Sequence, residues 1–318
     1  MIYDLPDTTI SQVAKRLVTV REEGGAVALG RVLTLLIVCQ GTIREQAIDA
    51  ANDASREHPM RVIVLVTRPD GPPRLDAQIR VGGDAGASEV IVLHASGPAA
   101  ERTDALITGL LLPDAPVVAW WPDEPPAKPG ADPLGRIAQR RITDTSPAPY
   151  TTDRFTSLEH SYTPGDTDLA WTRLTRWREQ LAAVLDQPPF EPVTAVEVRG
   201  ASTSPSTALR AAWLGMALEL PVRWCYEDPS VWDHGIHSVR LSRPSGDILL
   251  ERQTHSLALL TQPGQPDHEL HLPRRSLREC LAEELRRLDA DVLYGRVLTE
   301  GWERLSPPVA PDAVREEA

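Results

Sequence analysis

A short apolar run that ends in two adjacent tryptophans and is bounded by prolines most constrains the fold of this chain. Pro116 and Pro122 confine a strand to Val117–Trp121, because proline fixes φ and donates no backbone hydrogen bond. Neighbouring side chains on a strand point to opposite faces, so Trp120 and Trp121 cannot enter the same core. Either the sheet is covered on both faces, or one indole faces outward. An outward indole is typical of a partner surface, since tryptophan is enriched at interface hot spots.

The length and net charge of the chain limit its number of domains and its possible partners. Its 318 residues leave room for two domains, each able to bury a core. The net charge of −12 disfavours nucleic acid and anionic membranes as partners, because both attract basic surfaces. The longest apolar run, 32–39, has the length of a strand, whereas a bilayer span needs roughly 20 residues. The first residues also lack the pattern of a signal peptide, so we expect a cytoplasmic protein with Cys39, Cys225 and Cys280 as buried, reduced thiols.

Helical and strand patterns alternate in both halves of the sequence. The first half predicts strands at 32–39, 61–67, 75–81, 89–94 and 117–121, and helices at 43–57 and near 100–112. Thr42 and Glu45 have the spacing of a capping box that would open the helix 43–57. The second half predicts a helix over 170–184, a strand at 193–199, a helix from Ser204-Pro205, strands at 222–226, 236–241, 248–252 and 256–260, and a closing helix over 277–288. Ser276 and Glu279 would cap that last helix.

The predicted fold class is therefore α/β, with two α/β domains whose mixed parallel and antiparallel sheets are flanked by helices. We place the N-terminal domain at 1–122, a proline-rich linker with a short helix (133–142) at 123–164, the C-terminal domain at 165–306 and a disordered tail at 307–318. The two halves share an order of elements that is compatible with divergent duplication, although no aligned motif establishes it.

Two loops rich in glycine or serine are the places where an anion could bind. The first, 82–87, lies between two strands and lacks both a Walker lysine and the G-x-G-x-x-G spacing, which favours a simple turn. The second, 200–207, joins a strand to a helix, where Ser202, Thr203, Ser204 and Ser206 could hold an anion at the positive end of the helix dipole. Ser204 is explained equally by a capping role, so both interpretations stay open.

Histidines, cysteines and carboxylates form no pattern that indicates catalysis or a metal site. The pairs His234/His237 and His268/His271 offer at most two ligands each, and on a strand their spacing sends the imidazoles to opposite faces. The sequence contains no G-x-S-x-G motif, and no cysteine lies in a setting that predicts a low pKa. We therefore expect no catalytic residue, no metal and no cofactor.

The paired arginines Arg140 and Arg141, which the pattern places at the end of the short helix 133–142, join the two tryptophans as candidates for a binding surface. A planar guanidinium and an indole both bury large areas with directed contacts, which is why arginine and tryptophan are common at hot spots. A solvated surface explains the arginines as well. The candidate partner interface is thus Trp120, Trp121, Arg140 and Arg141.

Several long segments carry a resemblance to a known family. They are 20–35 (VREEGGAVALGRVLTL), 51–59 (ANDASREHP), 78–89 (QIRVGGDAGASE), 111–122 (LLPDAPVVAWWP) and 138–144 (AQRRITD). In these segments the chain resembles the OpcA family of glucose-6-phosphate dehydrogenase assembly proteins, in its actinobacterial form.

The resemblance implies a non-catalytic partner of glucose-6-phosphate dehydrogenase that promotes its assembly or allosteric activation. The function would then lie in the oxidative pentose phosphate pathway and in NADPH production. Relatives in photosynthetic bacteria are linked to thioredoxin control through cysteines, but no cysteine pair here matches that behaviour. The alternative that the residues leave open is a sugar-phosphate-binding enzyme or sensor that uses the loop 200–207.

Overall fold

The computed structural model of the chain describes residues 1–23, 30–82, 89–146, 159–201, 204–227, 232 and 235–305. In this part of the chain the strands form two mixed sheets, and the residues divide into two compact units. Unit 1 comprises Met1–Asp144, Thr163–Thr167 and Ser276–Ala290, and unit 2 comprises Thr145–Tyr162, Asp168–Arg275 and Asp291–Ala318. The predicted α/β class with mixed sheets and flanking helices is confirmed.

Strands and helices alternate along most of the chain. The strands are β1 (Ile2–Leu5), β2 (Leu33–Gln40), β3 (Met60–Arg68), β4 (Arg74–Arg80), β5 (Glu89–Ser96), β6 (Val117–Trp121), β7 (Arg140–Thr143), β8 (Asp166–Asp168), β9 (Ala195–Ala201), β10 (Val222–Glu227), β11 (Ile236–Arg243), β12 (Gly246–Arg252), β13 (Leu257–Thr261) and β14 (His268–His271). The helices are α1 (Ile10–Glu23), α2 (Glu45–Ala54), α3 (Thr103–Thr108), α4 (Pro133–Ile137), α5 (Leu169–Thr172), α6 (Thr175–Leu185), α7 (Pro205–Leu218), α8 (Leu277–Arg286) and α9 (Val292–Arg296).

The first sheet has a parallel centre and an antiparallel edge. Its strand order is β1-β4-β5-β3-β2-β6-β7-β8, in which β5, β3, β2, β6 and β7 pair in parallel and β4 and β1 pair antiparallel. Leu36 of β2 lies in register with Ile63 of β3 and Ala119 of β6. Both β2 and β3 are buried along almost their whole length, as expected for parallel strands that are covered on two faces.

Each face of this sheet has its own apolar layer. On one face Val13 and Leu17 of α1 join the cluster that contains Trp121, together with side chains of α3 and α4. Side chains alternate between the two faces along a strand, so Val64 and Trp120, which adjoin residues of this cluster, point to the other face. They are equally buried. Helices α2 and α8 pack against each other, and their buried side chains lie outside the first cluster, so we assign them to the cover of this second face.

Unit 2 is built on the second sheet, of order β10-β9-β11-β12-β13-β14. The pair β10/β9 is parallel, and the remaining neighbours are antiparallel. Side chains of α6 and α7, such as Leu181 and Leu209, complete the core with Val198, Val239 and Leu250 of the strands. Helix α7 begins after Ser204 and carries Pro205 in its first turn, as the sequence predicts.

The domain boundaries observed here differ from the predicted ones. Residues 123–144, predicted as part of a linker, belong to unit 1, because Arg140–Thr143 supplies strand β7 to its sheet. The segment Ser276–Ala290 also joins unit 1, since α8 packs against α2. The predicted disordered tail lies outside the described residues.

The sequence predicts two capping boxes, and the structure contains only the one with which no turn competes. The capping box of Ser276 and Glu279 is confirmed, with reciprocal bonds between side chain and backbone. The capping box at Thr42 is wrong: α2 begins at Glu45 behind Arg44, because Gly41 at a φ of +71° turns the chain and Thr42 donates its N–H to Gln40 instead.

Candidate functional site

The structure buries both tryptophans of the proline-bounded strand. Trp120 is 0% exposed and Trp121 is 3% exposed. Of the two alternatives that the sequence left open, the structure confirms a sheet covered on both faces, and the outward indole is wrong. The two indoles differ in one respect: Nε1 of Trp120 is buried and has no hydrogen-bond partner among the described residues, whereas Trp121 has no such buried unpaired donor.

Arg140 and Arg141 lie on strand β7, and not at the end of a helix as predicted, because α4 already ends at Ile137. Both side chains are buried. Arg140 pairs with the buried carboxylate of Glu284 on α8, with Nη2 and Oε2 2.5 Å apart, and donates to the backbone oxygen of Asp289 at 2.6 Å. Arg141 forms an ion pair with Asp166. The solvated-surface interpretation of these arginines is wrong, since distant carboxylates compensate their charge inside unit 1.

These placements leave the four-residue partner interface without direct support. A contact surface needs exposed side chains, and Trp120, Trp121, Arg140 and Arg141 offer almost none. Their role at an interface stays a prediction. The structure shows instead that they stabilise the sheet and its helical cover.

The second group of predicted site residues lies at the start of α7. Ser204 is the N-cap residue, and its hydroxyl makes no capping bond. Ser206 donates its hydroxyl proton to the backbone oxygen of Ala170 at 3.1 Å. Ser202 and Thr203 lie outside the described residues. The capping interpretation of Ser204 is thus supported by its position and not by a side-chain bond.

An open cavity lies beside this first helical turn in unit 2. The space in it that a water-sized sphere can occupy is about 40 Å³, and the cavity opens to solvent on one side. Arginines dominate its wall, namely Arg173, Arg176, Arg252 and Arg274. Ser204, Ser206 and Trp177 complete the polar and aromatic part of the lining. The cavity therefore has a basic wall, two hydroxyls and one indole.

Arg210 is an unusual charge behind this wall. It lies in the middle of α7, is fully buried, and has no hydrogen-bond partner on Nε, Nη1 or Nη2 within the described part of the chain. Its guanidinium lies 4.9 Å from the ring centre of Trp177 and 5.8 Å from that of Trp213. Burial, together with the like charges of Arg178 and Arg252, lowers the pKa of Arg210.

Arg252, in the wall of the cavity, is also a buried arginine whose hydrogen bonds are incomplete. Its Nη2 donates to the backbone oxygen of Leu272 at 2.8 Å, but its Nε is buried and has no hydrogen-bond partner in the part of the chain that the structure describes. Burial, and next the charge of Arg274, lowers the pKa of Arg252 to about 10. No ion pair of Arg210 or Arg252 is present among the described residues.

Neither Arg210 nor Arg252 is among the predicted site residues. Arg210 stood out as a single charge within the apolar sequence PSTALRAAWLGMAL of α7, and this isolation was the available signal. Arg252 is the last residue of β12, and the sequence around it does not distinguish it from other arginines at the end of a strand. Only the fold brings the two residues together.

A different arginine cluster surrounds Glu89 in unit 1. Arg21, Arg31 and Arg61 place guanidinium nitrogens 2.8, 3.1 and 2.8 Å from its buried carboxylate. Arg21 thus pairs with the first residue of β5. Residues 83–87 of the glycine-rich loop lie outside the described residues, so its interpretation as a turn stays a prediction.

The histidines and cysteines show no catalytic arrangement in the part of the chain that is described. His237 lies 2.9 Å from Glu227 and stacks on Trp232, while His268 and His271 are on the exposed strand β14. His234 lies outside the described residues. No group of three or more potential metal ligands occurs among the described residues. Within the same residues, no helix is long and apolar enough to cross a bilayer.

Comparison with protein families decides the identity of the chain. The model of the glucose-6-phosphate dehydrogenase subunit N-terminal domain matches residues 51–160, and the model of the C-terminal domain of the same subunit matches residues 164–298. The chain belongs to the OpcA family of glucose-6-phosphate dehydrogenase assembly proteins. The family resemblance found in the sequence is confirmed, and it assigns the chain an assembly or activator role in the pentose phosphate pathway.

Other comparisons add little to this OpcA-family assignment. No curated protein matches the chain. Among solved structures, a glucose-6-phosphate 1-dehydrogenase from Mycobacterium avium has a TM-score of 0.39 at 12% identity, covering 86% of this chain and 93% of that one. An oxidoreductase from Sinorhizobium meliloti scores 0.40 at 11% identity, covering 84% and 86%. A myo-inositol dehydrogenase from Lactobacillus casei scores 0.40 at 12% identity, covering 90% and 96%. Similarity at this level bears neither on the fold nor on the activity of the chain.

Proposed function

We propose that this OpcA-family chain binds glucose-6-phosphate dehydrogenase directly, as a non-catalytic partner, and favours the oligomer or conformation with the higher substrate affinity. The observation that carries the proposal is the pair of family matches. Both models are named for a subunit of this dehydrogenase, and together they extend from residue 51 to residue 298.

Such a partner acts by differential binding. A protein that binds two states of an enzyme equally well shifts nothing, however tightly it binds. To change substrate affinity, the chain must bind the high-affinity state more tightly, and the ratio of the two binding constants limits the effect. Coupling between two such sites typically amounts to about 1–3 kcal/mol, or roughly 5- to 150-fold.

The state of the thiols supports a binding role over a catalytic one. Cys39, Cys225 and Cys280 are buried and form no disulfide within the described residues, in agreement with the predicted reduced thiols. Burial raises the pKa of Cys39 to about 11 and also raises the pKa of Cys225. Because the thiolate is the nucleophile, a raised pKa makes these cysteines poor nucleophiles. Free thiols are also typical of a reducing compartment, which supports the proposed cytoplasmic location.

Sedimentation and kinetics together test this function. Purified chain, purified dehydrogenase and their mixture are compared by sedimentation velocity, and glucose 6-phosphate saturation is measured with and without the chain. We expect a faster-sedimenting complex and a lower KM. An unrelated acidic protein of similar size serves as the control for non-specific effects of net charge. Absence of both the complex and the kinetic change would sink the proposal.

A further inference from the structure

Two buried arginines, one in the wall of the basic cavity of unit 2 and one beside it, carry charges that no described carboxylate neutralises. Arg252 lines the cavity, Arg210 lies behind the shared Trp177, and neither has an ion-pair partner among the described residues. A buried guanidinium stays charged at neutral pH because its intrinsic pKa is so high. A buried charge without a partner is costly, and protein structures retain it where something else compensates it.

The geometry of α7 directs this charge toward the cavity. Side chains on a helix tilt toward its N-terminus, so Arg210 extends back over the first turn, where Ser206 lies four residues earlier on the same face. The positive dipole end of the 14-residue helix lies on the same side. The helix start and Arg252 thus line the cavity, and Arg210 contacts it through the ring of Trp177.

The lining indicates the chemistry of the missing ligand. Two or more guanidinium groups exceed what a single carboxylate needs, whereas a phosphate carries close to two charges and accepts several hydrogen bonds from planar donors. Ser204 and Ser206 lie in the same wall, and the ring of Trp177 holds the guanidinium of Arg252 at 5.4 Å from its centre. We propose that this cavity binds a phosphate dianion, either as the phosphate group of a small phosphorylated metabolite or as inorganic phosphate. The site lies within unit 2 and is independent of the proposed binding to the dehydrogenase.

Calorimetry on the isolated full-length chain tests the site. The probes are glucose 6-phosphate and inorganic phosphate, titrated at constant ionic strength with chloride as the background ion. We expect saturable binding at one site with a dissociation constant below about 1 mM, accompanied by a rise in Tm that grows with ligand concentration. Glucose 6-phosphate binding at least about tenfold tighter than phosphate identifies an organic ligand, and equal affinity identifies inorganic phosphate.

The variant Arg210→Met separates a binding role from a structural one. Methionine keeps the apolar stem and removes the buried charge, so the unliganded variant should have a higher Tm than the wild type. Its affinity for the better probe should fall by at least about tenfold, which corresponds to about 1.4 kcal/mol. Arg240→Met is the matched control in the same unit, because Arg240 is half exposed and pairs with Asp247. The control should leave both the affinity and the Tm close to wild type.

Three results would overturn the site. The first is the absence of binding of either probe by the wild type at about 10 mM, a concentration at which even weak sites fill. The second is an Arg210→Met variant that loses stability but keeps its affinity, since Arg210 would then serve only to stack on Trp177. The third is that the wild type binds no phosphate and Arg210→Met no longer forms the complex with the dehydrogenase. The cavity would then bind a carboxylate of the partner protein. Should Arg210→Met fail to fold, Arg252→Gln on the cavity wall replaces it with the same expected loss of affinity.

Discussion

Replacing each tryptophan of β6 separately tests whether the first sheet is covered on both faces. Trp120→Ala and Trp121→Ala should each lower the free energy of unfolding of unit 1 by about 3–5 kcal/mol, because each removes a large buried side chain and leaves a cavity. If one indole were at the surface, its replacement would cost within about 0.5 kcal/mol. Similar large losses for both variants are therefore the signature of two apolar layers.

Phenylalanine at the same positions should reveal the difference between the two indoles. Each Trp→Phe change loses apolar area worth about 1–2 kcal/mol, on a scale of about 0.8 kcal/mol per buried methylene. At Trp120 the change also removes a buried Nε1 donor that lacks a partner, and such a group costs about 1–3 kcal/mol. Trp120→Phe should therefore cost about 1–3 kcal/mol less than Trp121→Phe and come out close to neutral.

Hydrogen exchange is the appropriate assay, because a chain with two compact units need not unfold in one step. Amides of β2 and β3, at the centre of the first sheet, report the opening free energy of unit 1 by itself. Val18→Ala, at a side chain that is 52% exposed, is the control and should change protection by less than about 0.5 kcal/mol. Equal protection in the wild type and in either alanine variant would refute the conclusion that both faces of the sheet are covered. Equal losses of opening free energy in the two phenylalanine variants would refute the conclusion that Nε1 of Trp120 lacks a partner.

Further predictions concern an ion pair, a glycine and a thiol. Arg140→Met alone should destabilise unit 1 by about 3–5 kcal/mol in the same exchange assay, because it leaves Glu284 buried without its cation, and adding Glu284→Met should recover most of the loss; additive costs would contradict this. Gly301→Ala should cost at least about 1–3 kcal/mol in unit 2, because its Cβ would lie 2.5 Å from the backbone oxygen of Ala212, and unchanged protection of α7 would contradict the close packing. The Cys39 thiol should resist alkylation at pH 8 in the native protein and react rapidly in urea. Burial raises the pKa of this thiol from 9.0 to about 11, so the thiol ionises at a lower pH in the unfolded chain than in the native protein. The free energy of unfolding should therefore fall as the pH rises through that interval. Rapid labelling of Cys39 in the native protein would contradict its burial.

The sequence allowed the parts of the fold that depend on nearby residues to be predicted. Prolines on both sides fixed β6 at Val117–Trp121, and β-branched runs located β2 and β3 to within a residue or so. The strand β1 was missed because only four residues carry its pattern. The short helix predicted to reach residue 142 failed because pairing with β6 turned Arg140–Thr143 into a strand, and no local signal reports such a partner.

The candidate site was harder to predict, since its decisive contacts join distant parts of the chain. Arg140 meets Glu284 from 144 positions away, and that contact turned an expected surface residue into a buried one. The serine loop was predicted as a possible anion site from its own residues, but the arginines of the cavity beside it come from α6, from β12 and from the segments that follow α5 and β14. Their convergence is a property of the tertiary fold and not of any sequence window.

Thermodynamic linkage provides the most direct test of the central claim, which is that this OpcA-family chain favours a high-affinity state of glucose-6-phosphate dehydrogenase. If the chain raises the affinity of the enzyme for glucose 6-phosphate by some factor, saturating glucose 6-phosphate must tighten the protein complex by the same factor. The measurement is the dissociation constant of the complex with and without glucose 6-phosphate, in the absence of NADP so that no turnover occurs. The account predicts equal factors of at least about five. A complex whose dissociation constant is indifferent to the substrate would contradict it.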